Sequence, residues 1–210
     1  MHIIGLTGSI GMGKSSVASA FRYCGAAVYD ADYTVHSLMA QGGVAVEKVA
    51  EAFPDVITNR SVDRQALGEI VYNSKQALET LERILHPLAR DMQIRFLRIN
   101  AKQRNRLVVL DIPLLFEKQL NSFCDSIVVV TAPYFIQSQR VLARPGMTKK
   151  RFYNILDNQM PDSEKKKHAD FIIQTGLNKK YALSNIRKIM SKCAGKQNSL
   201  WSYHRIKLHA

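Results

Sequence analysis

Five short runs of apolar, β-branched residues punctuate the chain at positions 2–6, 26–30, 106–111, 126–132 and 170–175, with helical patterns or loops between them. Leu107-Val108-Val109-Leu110 and Ile127-Val128-Val129-Val130 are continuously hydrophobic, the pattern of strands covered on both faces. Strands alternating with helices predict an α/β fold built on a five-stranded parallel sheet, with right-handed crossovers stacking the helices outside.

The stretch between the second and third runs, residues 31–105, is far longer than one crossover helix needs. Within it Val46, Val49, Ala50 and Phe53 recur at helical spacing, as do Leu78, Leu81, Leu85, Leu88 and Met92. Pro87 is expected to kink or restart that second helix. Residues 36–100 are read as a mainly helical insert beside the sheet, and residues 1–35, 101–133 and 169–193 as the core. After the fourth run, residues 134–168 form a charged helical segment broken by the turn-favouring Arg144-Pro145-Gly146. A mobile cationic segment there would close over a bound ligand. Leu183, Ile186, Ile189 and Met190 place an apolar stripe on a last helix around 179–192, and residues 194–210 make a basic tail with no assigned task.

A chain of 210 residues can bury a proper core and is expected to form one α/β domain with insertions. Cys24, Cys124 and Cys193 are widely spaced and odd in number, which suits neither a disulfide framework nor a zinc site, so reduced thiols in the cytoplasm are expected. The first residues lack a basic lead-in and no segment has the length to cross a bilayer, so neither a signal peptide nor membrane association is expected. A formal charge of +13 calls for anionic partners. Much of the excess lies late, in Lys149-Lys150-Arg151, Lys165-Lys166-Lys167, Lys179-Lys180, Lys196, Arg205 and Lys207. Without zinc-finger spacing, an RNA-binding aromatic signature or a helix-turn-helix, this charge reads as a solvated, substrate-attracting surface rather than a specific nucleic-acid site.

The chemistry is concentrated in Gly8-Ser9-Ile10-Gly11-Met12-Gly13-Lys14-Ser15, which meets every fixed position of the phosphate-binding loop G-x-x-x-x-G-K-[ST]. Its glycines let successive N–H groups turn inward on a β-phosphate, Lys14 reaches the β and γ oxygens, and the Ser15 hydroxyl is suited to Mg²⁺. The apolar strand before the loop and the helical pattern from Ser16 onward are the context the motif requires.

Ligands of open α/β sheets bind at the carboxyl ends of the strands, where Asp30-Ala31-Asp32 closes the second run and Asp111 the third. Phosphoryl transfer needs alignment, a metal, cations for the moving charge and a carboxylate for the acceptor's proton. Asp32, at the entrance to the insert, is the candidate base; the competing reading is that Asp30 or Asp32 caps the next helix. Asn178-Lys179-Lys180-Tyr181 lacks the aspartate of a guanine-binding motif. Ile112 stands after Asp111 where an ATPase motor would place glutamate, and protein-kinase signatures are absent. A small-molecule kinase remains.

Gly5-Leu6-Thr7 leading into the loop, Asp30-Ala31-Asp32, Leu85-His86-Pro87-Leu88, Asp111-Ile112-Pro113-Leu114-Leu115-Phe116-Glu117, Gln159-Met160-Pro161 and Ala169-Asp170-Phe171 occur in an order that resembles the dephospho-CoA kinase family over about residues 2–190. The resemblance implies a P-loop nucleotide-kinase fold with a core, a helical substrate-binding insert and a lid. It implies ATP-dependent phosphorylation of the ribose 3′-hydroxyl of dephospho-CoA, with ATP and Mg²⁺ as the small partners. Separately, a monomer or weak homo-oligomer is expected. Carried over, it places ATP on Gly8, Gly11, Met12, Gly13, Lys14, Ser15 and Ser16, with Lys14 and Asp32 catalytic and Ser15 toward the metal.

His86 and Glu117 match family positions near the acceptor pocket, although a core histidine bonded to backbone fits His86 equally. Arg140 and Arg144 match cationic positions flanking the lid, where they would neutralise ATP phosphates; solvated helix charges are the competing account. The chain departs from the family at Ser9 and Met12, usually Gly and Ser, and at Ile155 and Asn158, in a stretch where an arginine usually precedes the lid glutamine. Arg151 or a nearby lysine would compensate. Another small-molecule kinase of similar fold, such as a nucleoside monophosphate or shikimate kinase, is the nearest alternative. A nucleotide-dependent nucleic-acid switch is a more distant one.

Overall fold

The five apolar runs become the five strands of the central sheet. A computed structural model describes residues 1–176 and 178–194. Its elements run β1 (His2–Thr7), α1 (Lys14–Tyr23), β2 (Ala27–Asp30), α2 (Ala31–Met39), α3 (Val46–Ala52), β3 (Ile57–Thr58), β4 (Ser61–Val62), α4 (Arg64–Asn73) and α5 (Lys75–Lys102). They continue with β5 (Leu107–Asp111), β6 (Ser126–Thr131), α6 (Tyr134–Leu142), α7 (Lys149–Asp157), α8 (Asp162–Lys167), β7 (Phe171–Gln174) and α9 (Lys179–Ala194). The part of the basic tail beyond Ala194 lies outside the described residues. Two compact units divide the chain: Met1–Tyr29 with the residues from Ile99 onward, and Asp30–Arg98.

In the first unit the parallel sheet has the order β2-β5-β1-β6-β7. Every residue of β1 and β5 is buried, which is why neither run alternates polar with apolar positions. β1 pairs in parallel with β5, Leu6 opposite Asp111, and with β6, Thr7 opposite Val129. This register brings the carboxyl end of β5 level with the residues that lead into the glycine loop. Ile4, Leu6, Val109, Val128 and Ile173 from the strands pack with Val17 and Phe21 of α1 and Ile186 and Ile189 of α9. The stripe expected on the last helix is therefore realised.

The second unit has its own core, in which Leu38, Val49, Val56, Val62, Leu67, Leu81 and Leu85 are buried together. Asp63 caps α4 by accepting from Gln65 N and Ala66 N, and Ser74 interrupts the helical run before α5, its Oγ accepting from Ala77 N. Pro87 neither ends nor restarts a helix: α5 is continuous across it. Leu81 and Leu85 before it and Leu88 and Ala89 after it pack into the same core, so burial on both sides outweighs the lost N–H. The β3–β4 hairpin was not foreseen. Its two turn residues, Asn59 and Arg60, have φ of 51° and 59°, the backbone of a tight primed turn but without the glycine that announces one.

Candidate active site

Gly8 through Lys14 link the end of β1 to the start of α1, and the glycines are required by geometry. Gly11 and Gly13 have φ of 77° and 87°, and Gly13 is the N-cap of α1. A Cβ on Gly8 would lie 2.6 Å from the Val130 carbonyl oxygen, and one on Gly11 2.5 Å from Val141 Cγ2. The loop thus leads into a helix N-terminus, where Ser16 N donates to Gly13 O at 3.1 Å and Ser15 and Ser16 are exposed.

Lys14 Nζ sits 2.6 Å from Asp111 Oδ1, and Asp111 is only 2% exposed. The aspartate that ends β5 therefore holds the loop's cation at the strand end. Met12 is buried, and its thioether sulfur accepts the Ala132 N–H at 3.0 Å, so this departure from the usual serine packs the loop against the end of β6. Among the described residues no cluster of three or more His, Cys, Asp or Glu side chains is arranged to hold a metal ion.

The loop is braced from two further directions. Arg140 Nη1 donates to Gly11 O at 3.4 Å and to Thr175 Oγ1 at 2.9 Å, while Nη2 reaches Thr175 O at 3.1 Å. Thr175 Oγ1 in turn donates to Met12 O at 2.7 Å. At Ile10 the carbonyl accepts Gln137 Nε2 at 2.8 Å and the N–H donates to Gln159 Oε1 at 3.0 Å. Gln137, Gln159 and Thr175 carried no role in the sequence reading. Thr175 follows β7 at a strand end, and Gln137 is a polar residue one turn from Val141 on the buried face of α6, so both left a signal. Gln159 was visible only inside a motif.

Glu117 is engaged through one carboxylate oxygen, while its buried Oε2 has no hydrogen-bond partner among the described residues. Its Oε1 accepts Met160 N at 2.8 Å and lies 2.9 Å from Lys165 Nζ. Burial pushes its carboxyl up, but the Lys165 hydrogen bond, the N–H groups of Glu117 and Met160 and the lysine charge outweigh burial and hold it below the usual glutamate range. The Lys165-Lys166-Lys167 run is not a free cationic surface. Lys165 is fully buried, Lys166 pairs with Asp162 at 2.7 Å and Lys167 with Glu164 at 2.7 Å. Arg144 and Arg151 are exposed, and no partner for either side chain is described.

In the second unit Asp30 is the cap of α2, its Oδ1 accepting from Tyr33 N at 2.9 Å. Asp32, in the first turn of the same helix, is exposed and no described residue holds its carboxylate. The capping alternative therefore applies to Asp30. His86 is exposed on α5 with Nε2 3.9 Å from Glu82 Oε1 one turn earlier, which removes the core-histidine reading.

The sequence model of the family described as "Dephospho-CoA kinase" matches residues 2–180. A dephospho-CoA kinase of Paramagnetospirillum magneticum is 54% identical over 166 residues, covering 79% of this chain and 78% of that one. A solved structure from Thermus thermophilus superposes with a TM-score of 0.79 at 31% identity, over 91% of this chain and 96% of that one. A dephospho-CoA kinase structure from Campylobacter jejuni shares the fold, with a TM-score of 0.64 at 24% identity over 91% of this chain and 97% of that one.

Proposed function

The chain belongs to the dephospho-CoA kinase family, and we propose that it transfers the γ-phosphoryl group of ATP to the ribose 3′-hydroxyl of dephospho-CoA, giving coenzyme A and ADP. The observation that carries the nucleotide half of this reading is the glycine loop itself, with left-handed Gly11 and Gly13 opening α1 and Lys14 set against Asp111. In-line phosphoryl transfer involves little covalent work by the protein, so positioning and charge stabilisation dominate.

In this reading the N–H groups from Gly11 to Ser16 cradle the phosphates, Gly8 admits the backbone close to β6, and Lys14 leaves Asp111 to follow the γ-phosphoryl charge. Arg140, held beside the loop by Thr175, and the exposed Arg144 add positive charge, with Arg151 standing in for the arginine usual before the lid glutamine. Asp32 accepts the acceptor hydroxyl's proton, a role its free carboxylate suits, and exposed His86 contacts the acceptor. The donor set fits Mg²⁺ held mainly by phosphate and water, with the exposed Ser15 hydroxyl as the protein ligand. Bound there, the ion would neutralise charge between the β- and γ-phosphates. Residues 134–168 act as the lid and residues 36–100 hold the acceptor, excluding water that would hydrolyse ATP. A cytoplasmic enzyme, monomeric or weakly associating, completes the proposal; among the described residues no helix is long and apolar enough to cross a membrane.

Mass spectrometry of the product tests the acceptor. Dephospho-CoA should gain one phosphoryl group at the 3′ position, while shikimate and nucleoside monophosphates are left unchanged; phosphorylation of one of those instead would move the chain to another acceptor class.

A further inference from the structure

Lys165 and Glu117 form an ion pair that the proposed chemistry does not use. Lys165 is 0% exposed, with Nζ 2.9 Å from Glu117 Oε1. The same ammonium donates to the Pro113 carbonyl at 3.4 Å, and that carbonyl also accepts Thr7 Oγ1, at the end of β1, at 2.9 Å. On the other side Glu117 Oε1 accepts Met160 N at 2.8 Å, and the preceding residue, Gln159, accepts Ile10 N at 3.0 Å. A path of contacts therefore leaves the main chain at Thr7, just before the glycine loop, and returns to it inside the loop at Ile10.

Burying a charged lysine is costly, and well-packed apolar residues often replace a buried pair without loss of stability. Stability alone therefore gives a weak reason for the pair, whereas its connections on both sides end on the loop. We propose that Lys165, acting through Glu117, is a positioning residue for the nucleotide loop. It fixes the backbone at Met160, so that Gln159 holds Ile10 and the glycines that follow are presented to the phosphates in one conformation. The role replaces the acceptor contact expected of Glu117, and it rests on the reading that this loop binds ATP.

The test measures ATP affinity directly, alongside the Michaelis constants for both substrates, in full-length protein. The double variant Lys165→Met/Glu117→Leu keeps the volume and removes both charges. It is expected to melt near the wild type and to bind ATP about tenfold more weakly, the order of one hydrogen bond's net contribution, with the Michaelis constant for dephospho-CoA unchanged. Gln159→Ala alone should weaken ATP binding similarly, and adding it to the double variant should cost little more, because residues on one path are non-additive. Glu117→Gln, which keeps an acceptor for Met160 N but leaves the buried Lys165 charge without its counter-ion, is the second variant and should weaken ATP binding in the same direction. Wild-type ATP affinity in a folded double variant or in Glu117→Gln, or full additivity with Gln159→Ala, overturns the inference while leaving the loop's function standing. A wild type that binds no ATP overturns both.

Discussion

Two aspartates separated by one residue differ in their surroundings. Asp30 spends its Oδ1 on Tyr33 N, whereas Asp32 is exposed and held by no described partner. Asp30→Ala should therefore cost about 1 kcal/mol of stability, as loss of a helix cap does, measurable by urea unfolding. Asp32→Asn should leave stability unchanged and cut turnover by roughly 10²–10⁴-fold, the range of a lost general base. Glu117 makes a prediction in pH. Its folded carboxyl titrates below the ordinary value of 4.5, so the folded state binds this proton less readily than the unfolded chain. The stabilisation is complete above that value and is lost as pH falls through the lower folded one. Melting temperatures of the wild type and Glu117→Gln should converge as pH falls from 7 to 3; a constant gap would show that the ion pair does not titrate as described. At this scale the phosphate-loop motif and the capping alternative for Asp30 were legible because their chemistry is local. The burial of Lys165 was not, because Glu117 lies in a distant segment and nothing in a run of three lysines marks which one turns inward.

Among the elements, the strands were the most legible, since a strand covered on both faces reads as an unbroken apolar run. The insert was harder. Local rules expected a break at Pro87, but the leucines on either side of it share one core and carry α5 through. The proline still leaves the helix without one backbone donor. Pro87→Ala should consequently raise the stability of the insert by about 1–3 kcal/mol, following the helix propensities of the two residues. Denaturant unfolding followed on a label in residues 64–98 would register it; a destabilised variant would mean that the proline ring itself packs productively. The β3–β4 turn was illegible for a different reason. Asn59 and Arg60 adopt left-handed backbone without glycine, and two-residue strands are too short to show alternation.

For the molecule as a whole, the +13 charge invited a reading as a solvated, substrate-attracting surface. The structure divides the cations: some are held in pairs such as Lys14–Asp111 and Lys165–Glu117, which leave the net excess untouched, and others, including Arg144 and Arg151, are exposed. The paired share is set by long-range contacts, which is why composition could suggest anionic partners without locating them. Phosphoryl transfer from ATP to dephospho-CoA, with Asp32 as the base, is tested most directly by ADP release from Mg-ATP, with and without dephospho-CoA, in the wild type and Asp32→Asn. The account predicts release that depends on dephospho-CoA and collapses in the variant. A folded, ATP-binding wild type that dephospho-CoA does not stimulate, or an Asp32→Asn variant that turns over like the wild type, would contradict it.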